Sequence, residues 1–307
     1  MSKKLKKVLG LFKRPDRIWL YCSRRGWLNW MSDETYLKQV FRIRMKKKLD
    51  LKDPKTFNEK LQWIKLYHRN PEHSKWVDKY AVREYIAKTI GEEYLIPSLG
   101  IWDHFDDIDF DALPDQFVLK CNHDSGSVVL CKDKANFDRA AAKSRLEKAL
   151  KHNGYAYGRE WPYKSVKPKI IAEKLMIDES GHELKDYKFF CFDGKVRCFK
   201  IDFDRFVGHK ANYFDPEGNL LPFGEDVCPP DFSRKLSMPT KLNEMLELAS
   251  KLSKGSPFLR VDFYEVNGQI YFGELTFVPA SGFGPFCPPE WDRTFGDWME
   301  LKKFPEE

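Results

Sequence analysis

Residues 256–277 (SPFLRVDFYEVNGQIYFGELTF) place two carboxylates, a guanidinium group and a hydroxyl on a predicted β-hairpin. Polar and apolar residues alternate along both strands, so we expect the polar ones to share one face. They are Arg260, Asp262, Glu274 and Thr276. Two carboxylates on one face repel each other unless a cation lies between them; a guanidinium group can neutralise one, and Mg²⁺ can serve both. On the hairpin alone, a solvated outer face with an exposed ion pair is the simpler interpretation.

The pairing register of this hairpin follows from its apolar residues. A two-residue turn at Asn267-Gly268 pairs odd-numbered with even-numbered residues, which sets apolar side chains opposite charged ones. We therefore predict a three-residue loop, Val266–Gly268, with a left-handed bulge residue. That loop pairs odd with odd and buries the apolar set together. A slip by one residue exposes several large side chains, at about 1.5–3 kcal/mol each.

A lysine followed by a Ser- and Gly-containing loop forms the second candidate feature. Lys120 ends a predicted strand (FVLK), and CNHDSGS follows it. Backbone N–H groups of such a loop can bind phosphate, with the lysine as a nearby point charge. Loops and exposed lysines of this kind are also common without a ligand, and His123 and Asp124 fit ordinary polar loop positions.

Two further predicted strands carry charged residues within apolar runs. In IIAEKLM, the edge-strand backbone beside Leu175 can hydrogen-bond an adenine while Glu173 accepts from its amino group. An edge-strand salt bridge explains the same residues equally well. In KDYKFF, Asp186 and Lys188 are two residues apart and share one strand face.

Positive charge is concentrated at the N-terminus. Residues 1–50 contain 15 Lys and Arg residues against 4 Asp and Glu, while the rest of the chain contains 38 against 42. A basic segment of this kind can bind nucleic acid, an anionic glycan or an acidic membrane surface. Peripheral membrane contact and packing of a basic helix on its own domain are equally compatible with residues 1–50.

Cysteine usage and hydropathy indicate the compartment. The seven cysteines form no CxxC motif and leave one unpaired, which favours free thiols in a reducing cytoplasm. No run of 18 apolar residues predicts a membrane-spanning helix. We predict a cytoplasmic protein, with contact at the inner face of the membrane as an open alternative.

The predicted elements indicate an α+β fold. Thr56 and Glu59 have the spacing of a capping box at a helix start, and SKWVDKYAVREYIAKTIG predicts one further helix that ends near Gly91. Asp193-Gly194 predicts a tight hairpin between two strands. Strands and helices alternate without a regular βαβ period.

Over residues 117–284 the chain resembles the ATP-grasp superfamily, because four features follow one another in the superfamily's order. They are the lysine strand with its loop, the E-K-L strand, the D-x-K strand and the R-x-D…E-x-T hairpin. Residues 40–300 also resemble its TupA-like (teichuronopeptide-biosynthesis) branch, through DPKTFNEKLQW, DKYAVREYI, FVLKCNHDSG, DYKFFCFDGK and ELTFVPASGF. The resemblance implies two α+β lobes that clasp Mg-ATP. It also implies a catalytic domain over 51–300, after a helical basic arm (1–50) and before a short tail (301–307).

The resemblance implies a role for each matching residue. Lys120 and Lys188 would bind the phosphates, Asp186 would lie near the ribose, and Arg260 would steady the transferring phosphoryl group together with Lys188. The remaining matching residues would form four groups: the phosphate loop (Asn122, His123, Ser125, Gly126, Ser127), the adenine site (Glu173, Lys174, Leu175), the Mg²⁺ ligands (Asp262, Glu274, Thr276) and the acceptor site (Ser281, Gly282). The superfamily usually has Asn where this chain has Thr276, and the shorter hydroxyl side chain weakens the prediction of two fully occupied metal sites.

The implied reaction is carboxylate–amine ligation through an acyl phosphate. The TupA-like resemblance further implies that an amino acid or other amine donor is joined to a uronic-acid carboxyl of an anionic cell-surface glycan or glycan precursor. A kinase that phosphorylates a glycan hydroxyl fits the same residues. A basic module without catalysis, which binds through residues 1–50, is the third hypothesis, and nucleic acid is not an expected partner.

Overall fold

The structure is a computed structural model that describes residues 15–152, 154–177, 184–204 and 208–301. Helices and antiparallel sheets build this part of the chain, as predicted for the α+β class. The helices are α1 (Pro15–Arg24), α2 (Asp33–Met45), α3 (Phe57–Tyr67), α4 (Glu72–Val77), α5 (Val82–Thr89), α6 (Arg139–Leu150), α7 (Gly154–Gly158), α8 (Leu242–Ser253) and α9 (Glu290–Trp298). The strands are β1 (Ser98–Trp102), β2 (Phe117–Cys121), β3 (Val129–Cys131), β4 (Ile170–Lys174), β5 (Asp186–Phe192), β6 (Lys195–Phe203), β7 (Lys210–Phe214), β8 (Gly224–Glu225), β9 (Leu259–Val266), β10 (Gln269–Thr276) and β11 (Phe286–Cys287).

The strands form a small sheet and a large sheet. The small sheet has the order β1-β4-β2-β3 and the large sheet the order β10-β9-β5-β6-β7, while β8 pairs with β11. Strand β4 therefore lies between β1 and β2, with hydrogen bonds on both sides. The prediction that residues 170–175 form an edge strand is wrong for this reason. Asp193 and Gly194 form the predicted tight turn between β5 and β6, both with positive φ.

The two sheets have separate apolar cores. In the large sheet, α8 covers one face and contributes Met245, Leu248 and Leu252 to a core with Phe189 and Val261. The small sheet packs its apolar face against α6. The opposite face of the large sheet is thus available to carry polar side chains.

The N-terminal segment is helical in its described part, and residues 1–14 of the predicted basic arm lie outside the described residues. Helix α2 buries Tyr36, Leu37 and Phe41 in a cluster with Leu66 and Phe283. The second half of the arm therefore packs on the rest of the molecule. The proposed division at residue 50 stays a prediction.

The helix starts differ in how well the sequence predicts them. Helix α3 begins with the predicted capping box, in which the Thr56 and Glu59 side chains bind each other's backbone N–H groups. The single helix predicted up to Gly91 is wrong, because the chain breaks into α4 and α5. Asp78 is extended at this break, and its carboxylate accepts hydrogen bonds from the N–H groups of Tyr80 (2.8 Å) and Ala81 (3.2 Å).

The β9–β10 hairpin brings its polar residues to one face, as predicted, by an unpredicted route. Its turn is the two-residue Asn267-Gly268, both with positive φ, and Phe272 pairs with Phe263. A bulge at Gly273 then shifts the pairing by one residue, so that Glu274 lies opposite Asp262. The predicted three-residue loop is therefore wrong, and the prediction that even-numbered residues pair with even-numbered ones at the polar positions is confirmed.

Candidate active site

A row of charged side chains crosses the polar face of the large sheet. Glu274, Asp262, Lys188 and Lys200 are direct cross-strand partners on β10, β9, β5 and β6. Asp186 on β5 and Asp202 on β6 are also cross-strand partners, two residues away from the Lys188–Lys200 pair. Asp262 is only 2% exposed and Lys188 only 7%. The solvated outer face that the hairpin alone suggested is therefore wrong.

Arg260 joins the two predicted metal ligands. Its guanidinium group donates two hydrogen bonds to Asp262, from Nε (2.7 Å) and Nη2 (2.6 Å), and Nη2 also donates to Glu274 Oε1 (2.6 Å). Thr276 Oγ1 donates to the same Glu274 oxygen at 3.2 Å. All four predicted residues of the hairpin are thus brought together, with the cation between the carboxylates.

Lys188 occupies the centre of the row. Its ammonium group contacts Asp186, lies 3.1 Å from Asp202 Oδ2 and lies 3.6 Å from Asp262 Oδ2. Burial lowers the pKa of Lys188, but these carboxylates outweigh burial, and the net shift is upward. Lys188 is therefore a fixed cation on the sheet.

The two carboxylates of the hairpin differ in their acidity. Burial raises the pKa of Asp262 to about 6, although Arg260 and Lys188 lie against it. Burial also acts to raise the pKa of Glu274, but Arg260, Lys79 and Lys188 lower it to about 2. At neutral pH both groups are mainly ionised, and Asp262 is the one that titrates near physiological pH.

The small sheet contributes a second charged pair. Lys120 on β2 and Glu173 on β4 form an ion pair of 2.5 Å, and Glu173 is 8% exposed. Lys174 is exposed, and Leu175 lies just beyond the end of β4. The predicted salt bridge of Glu173 is therefore present, although in an inner strand. Adenine binding by Glu173 and by the backbone at Leu175 stays a prediction.

The predicted phosphate loop, residues 122–127, divides into fixed and accessible positions. The Asn122 amide is buried and hydrogen-bonded to Asp78, Lys167 and Lys169, and His123 Nε2 contacts the His152 carbonyl at 3.0 Å. Ser127 Oγ accepts from the Cys121 N–H (2.8 Å) and donates to Asp124. These contacts of Asn122, His123 and Ser127 shape the loop, and the prediction that the loop binds phosphate stays a prediction.

Ser125 and Gly126 are the exposed positions at the loop tip. A Cβ at Gly126 would meet nothing within 4 Å, so there is open space above this part of the loop. The Gly126 carbonyl accepts a hydrogen bond from Arg145 at 2.7 Å. The loop is therefore anchored at one carbonyl while its tip stays accessible.

Lys79 belongs to the site and was missed by the sequence analysis. Its Nζ donates to the Asp124 carbonyl at 2.5 Å, and its N–H donates to the Asn122 carbonyl at 3.0 Å. Burial lowers its pKa, while the nearby Glu274 carboxylate acts against burial. Lys79 therefore lies between the loop of the small sheet and the hairpin of the large one. Lys79 lies in the sequence DKY, which was predicted to be part of one continuous helix.

The predicted acceptor residues lie in a tight turn after β10. Ala280, Ser281 and Gly282 all have positive φ. The Ser281 hydroxyl donates to Glu160, and the Ser281 carbonyl accepts from Lys65 Nζ at 2.7 Å. Burial raises the pKa of Glu160 and lowers that of Lys65 to about 7. Neither the buried Lys65 nor the half-buried Glu160 was predicted, because the sequence around each of them indicates only a helix or a loop.

The sequence and fold define the class of protein. The model of the TupA-like ATP-grasp family matches residues 59–300, and the chain belongs to that family. This confirms the predicted branch and the ATP-grasp fold. No curated protein matches the chain. Among the described residues, no helix combines the length and apolar character needed to cross a bilayer.

Solved structures similar to this chain are ATP-grasp ligases and related synthetases. D-alanine–D-alanine ligase from Bacillus anthracis complexed with ATP is 18% identical, with 73% of this chain and 64% of that chain covered and a TM-score of 0.41. The ATP-grasp ligase PsnB, complexed with a phosphomimetic precursor variant, Mg and ADP, is 10% identical, with 71% and 56% covered and a TM-score of 0.39.

D-cycloserine synthetase DcsG is 13% identical, with 73% and 69% covered and a TM-score of 0.40. This chain spans 57% of the length of another structure of the B. anthracis ligase. ATP is bound in the B. anthracis ligase structure with 18% identity and 73% coverage of this chain, and Mg and ADP are bound in the PsnB structure.

Proposed function

We propose that this protein is a Mg²⁺- and ATP-dependent carboxylate–amine ligase. The observation that supports this proposal most is the cross-strand pair of Asp262, which is buried, and Glu274, whose side chain is one-third exposed. Arg260 joins the two carboxylates, and Lys188 flanks them. A purely structural sheet face has no need to bury so many charges, because each buried ion costs several kcal/mol of desolvation before it is paired.

The residues of the row fit Mg²⁺. Asp262, Glu274 and Thr276 offer oxygen atoms only, which are the ligands that Mg²⁺ prefers. Together with Glu225 from the adjacent β8, the row has five carboxylates against three cations, which is an excess of two negative charges. The carboxylates are Asp186, Asp202, Glu225, Asp262 and Glu274, and the cations are Lys188, Lys200 and Arg260. Mg²⁺ bound with nucleotide would supply neutralising charge for the phosphates.

The chain's own residues support phosphoryl transfer through position and charge. Lys188 from the large sheet, with Lys79 and Lys120 from the loop side, would neutralise the phosphate oxygens. Arg260 would hold the transferring group while a substrate carboxylate oxygen attacks the γ-phosphorus and ADP leaves. An amine would then attack the acyl carbon, the C–O bond to phosphate would break, and phosphate and a proton would be released.

The acceptor is proposed to bind beside Ser281 and Gly282. Glu160 and Lys65 lie against this turn and give it one acidic and one basic side chain. The proposed substrates are a uronic-acid carboxyl of a cell-surface glycan or its precursor and an amino-acid amine. A kinase acting on a glycan hydroxyl is the second candidate, because the same cations neutralise the same phosphoryl group.

Product analysis separates the two reactions. The full chain is incubated with ATP, Mg²⁺, oligogalacturonate and hydroxylamine. A ligase releases ADP and free phosphate in equal amounts and forms a hydroxamate, whereas a kinase leaves the phosphate on the glycan. Asp262→Asn is the inactive control, and Asp231→Asn, which alters a partly exposed ion pair with Lys210, is the matched active control. ADP formation without free phosphate would contradict the ligase proposal.

The exposed aromatic residues Trp27 and Trp30 support a peripheral membrane contact of the basic arm. Sedimentation with vesicles containing anionic lipid tests this contact. The full chain is expected to pellet with the vesicles, and a chain that lacks residues 1–32 is expected to stay in the supernatant. Equal pelleting of the two chains would reject the contact.

A further inference from the structure

Three potential metal ligands converge beside the polar row, on the side away from the hairpin. They are Asp202 at the end of β6, His209 just before β7 and Cys228 just after β8. One ligand atom from each residue lies within 4.8 Å of the others, and Asp202 Oδ2 is 3.4 Å from His209 Nε2. In a tetrahedral zinc site such atoms are about 3.3–3.8 Å apart, so small side-chain rotations suffice to reach that geometry.

Burial distinguishes this cluster from an ordinary surface group. Asp202 is 3% exposed and Cys228 is 5% exposed. Asp202 Oδ1 is buried and makes no hydrogen bond to any other described residue, and the Lys200 ammonium group lies 3.7 Å from it. A buried oxygen in this state is costly unless a further partner satisfies it. The His209 side chain is 40% exposed and gives an ion access from solvent.

The charges around the cluster also permit a divalent ion. Lys188 and Lys200 lie close to Asp202, and a bare dication there would be repelled. A Zn²⁺ ion, however, binds cysteine as thiolate. When Cys228 releases its thiol proton to solvent, Zn²⁺, the thiolate and the Asp202 carboxylate together carry no net charge. Lys188 and Lys200 then keep Asp186 and Glu225 as their carboxylate partners.

We propose that Asp202, His209 and Cys228 form a Zn²⁺ site with three protein ligands and one open position. Thiolate and imidazole ligands select Zn²⁺ over Mg²⁺. The site is separate from Asp262 and Glu274, since Lys188 lies between Asp202 and Asp262. It ties the segments before β7 and after β8 to the end of β6. The inference does not depend on ligase chemistry.

Cobalt binding tests the site without any substrate. Co²⁺ replaces Zn²⁺ at such sites and shows a thiolate-to-metal charge-transfer band in the near ultraviolet. The full chain with Cys287→Ser, which removes the exposed thiol, is titrated with Co²⁺. We expect the band to saturate at one Co²⁺ per chain and to disappear when Zn²⁺ is added. A folded protein that shows no such band would overturn the proposal.

Two variants identify the ligands. Cys228→Ser is expected to abolish the charge-transfer band, and His209→Ala to weaken Co²⁺ binding about tenfold or more. His104→Ala changes another surface histidine and is expected to leave binding unchanged. Because His209 is partly exposed, its variant keeps the fold and decides the question if Cys228→Ser does not fold. Unchanged Co²⁺ affinity in His209→Ala, or a band that persists in Cys228→Ser, would overturn the assignment.

Discussion

At the scale of single residues, the site depends on charges that are buried in pairs. Arg260 binds both Asp262 and Glu274, and Lys188 contacts three carboxylates. A buried charge without its partner is destabilising, so each of these residues has an electrostatic reason to be present. The same pairing keeps the cations at fixed positions, which favours binding of an anionic nucleotide.

Replacing Lys79 tests whether the small-sheet side of the site binds phosphate. Lys79→Met is expected to weaken binding of Mg-AMPPNP about tenfold, because it removes a half-buried cation beside the phosphate loop. Lys75→Met, which removes an exposed lysine one turn earlier, is the matched control. Calorimetric titration measures both. A purely structural role for Lys79 would instead lower stability and leave nucleotide affinity unchanged.

The raised pKa of Asp262 predicts a pH dependence of metal-nucleotide binding. Below its pKa of about 6 the carboxyl group is protonated and loses its charge, so Mg²⁺-dependent affinity falls as the pH drops through 6. The expected loss is up to about tenfold per pH unit. Asp262→Asn removes this contribution and corrects for protonation of the nucleotide itself. An identical pH profile in wild type and variant would contradict the assignment.

Removing Lys65 tests whether a buried cation supports the acceptor turn. Lys65→Met loses the hydrogen bonds to the Ser281 carbonyl and Gln62, and it leaves Glu160 without a nearby cation. We expect about 1–3 kcal/mol lower stability in urea denaturation. Lys55→Met, at an exposed position, is expected to stay within about 0.5 kcal/mol of wild type. Equal stability of the two variants would show that the turn does not need Lys65.

At the scale of elements, the β9–β10 hairpin shows what the sequence can specify. Alternation along both strands predicts that Asp262 and Glu274 share a face, because a one-residue slip buries the wrong set. It does not predict how the chain achieves this. Asn267-Gly268 forms the favoured tight turn, and Gly273 corrects the register by a bulge. An isolated glycine within a strand was the available signal.

Gly273→Ala tests the bulge. A Cβ there would lie 3.1 Å from the Asp262 carbonyl oxygen and from the Tyr264 ring, and the strand backbone cannot easily move. We expect about 1–3 kcal/mol of destabilisation and weaker Mg-nucleotide binding. At Gly154 the added Cβ would make only ordinary contacts, at 3.5 Å, so Gly154→Ala is the control. Equal stability and affinity in both variants would show that the bulge tolerates a side chain.

Other parts of the site were beyond prediction because they depend on contacts between distant segments. The strand that contains Glu173 has an apolar sequence with a charged end, and such a sequence fits an edge strand and an inner strand equally well. Its position between β1 and β2 depends on how the whole sheet assembles. Asp78 follows the end of α4, accepts hydrogen bonds from the turn that leads into α5, and also binds Asn122. Because the residues on both sides of Asp78 have helical periodicity, the sequence did not predict the break between α4 and α5 or the role of Lys79 in it.

At the scale of the whole molecule, the site lies where the polar face of the large sheet meets the loop of the small one. Lys79 connects them, since it binds the Asp124 carbonyl and lies near Glu274. The helical α2 packs on the same body through Phe283, next to the acceptor turn. The arrangement predicts that one bound nucleotide contacts both sheets.

The most direct test measures binding of AMPPNP to the full chain with Mg²⁺ and with EDTA. We expect one nucleotide per chain, binding that requires Mg²⁺, and a loss of about tenfold or more in the double variant Asp262→Asn, Glu274→Gln. The variant must keep the circular dichroism spectrum of the wild type. Tight AMPPNP binding that is indifferent to Mg²⁺ and to both substitutions would contradict the central claim that these two carboxylates bind the metal of a nucleotide.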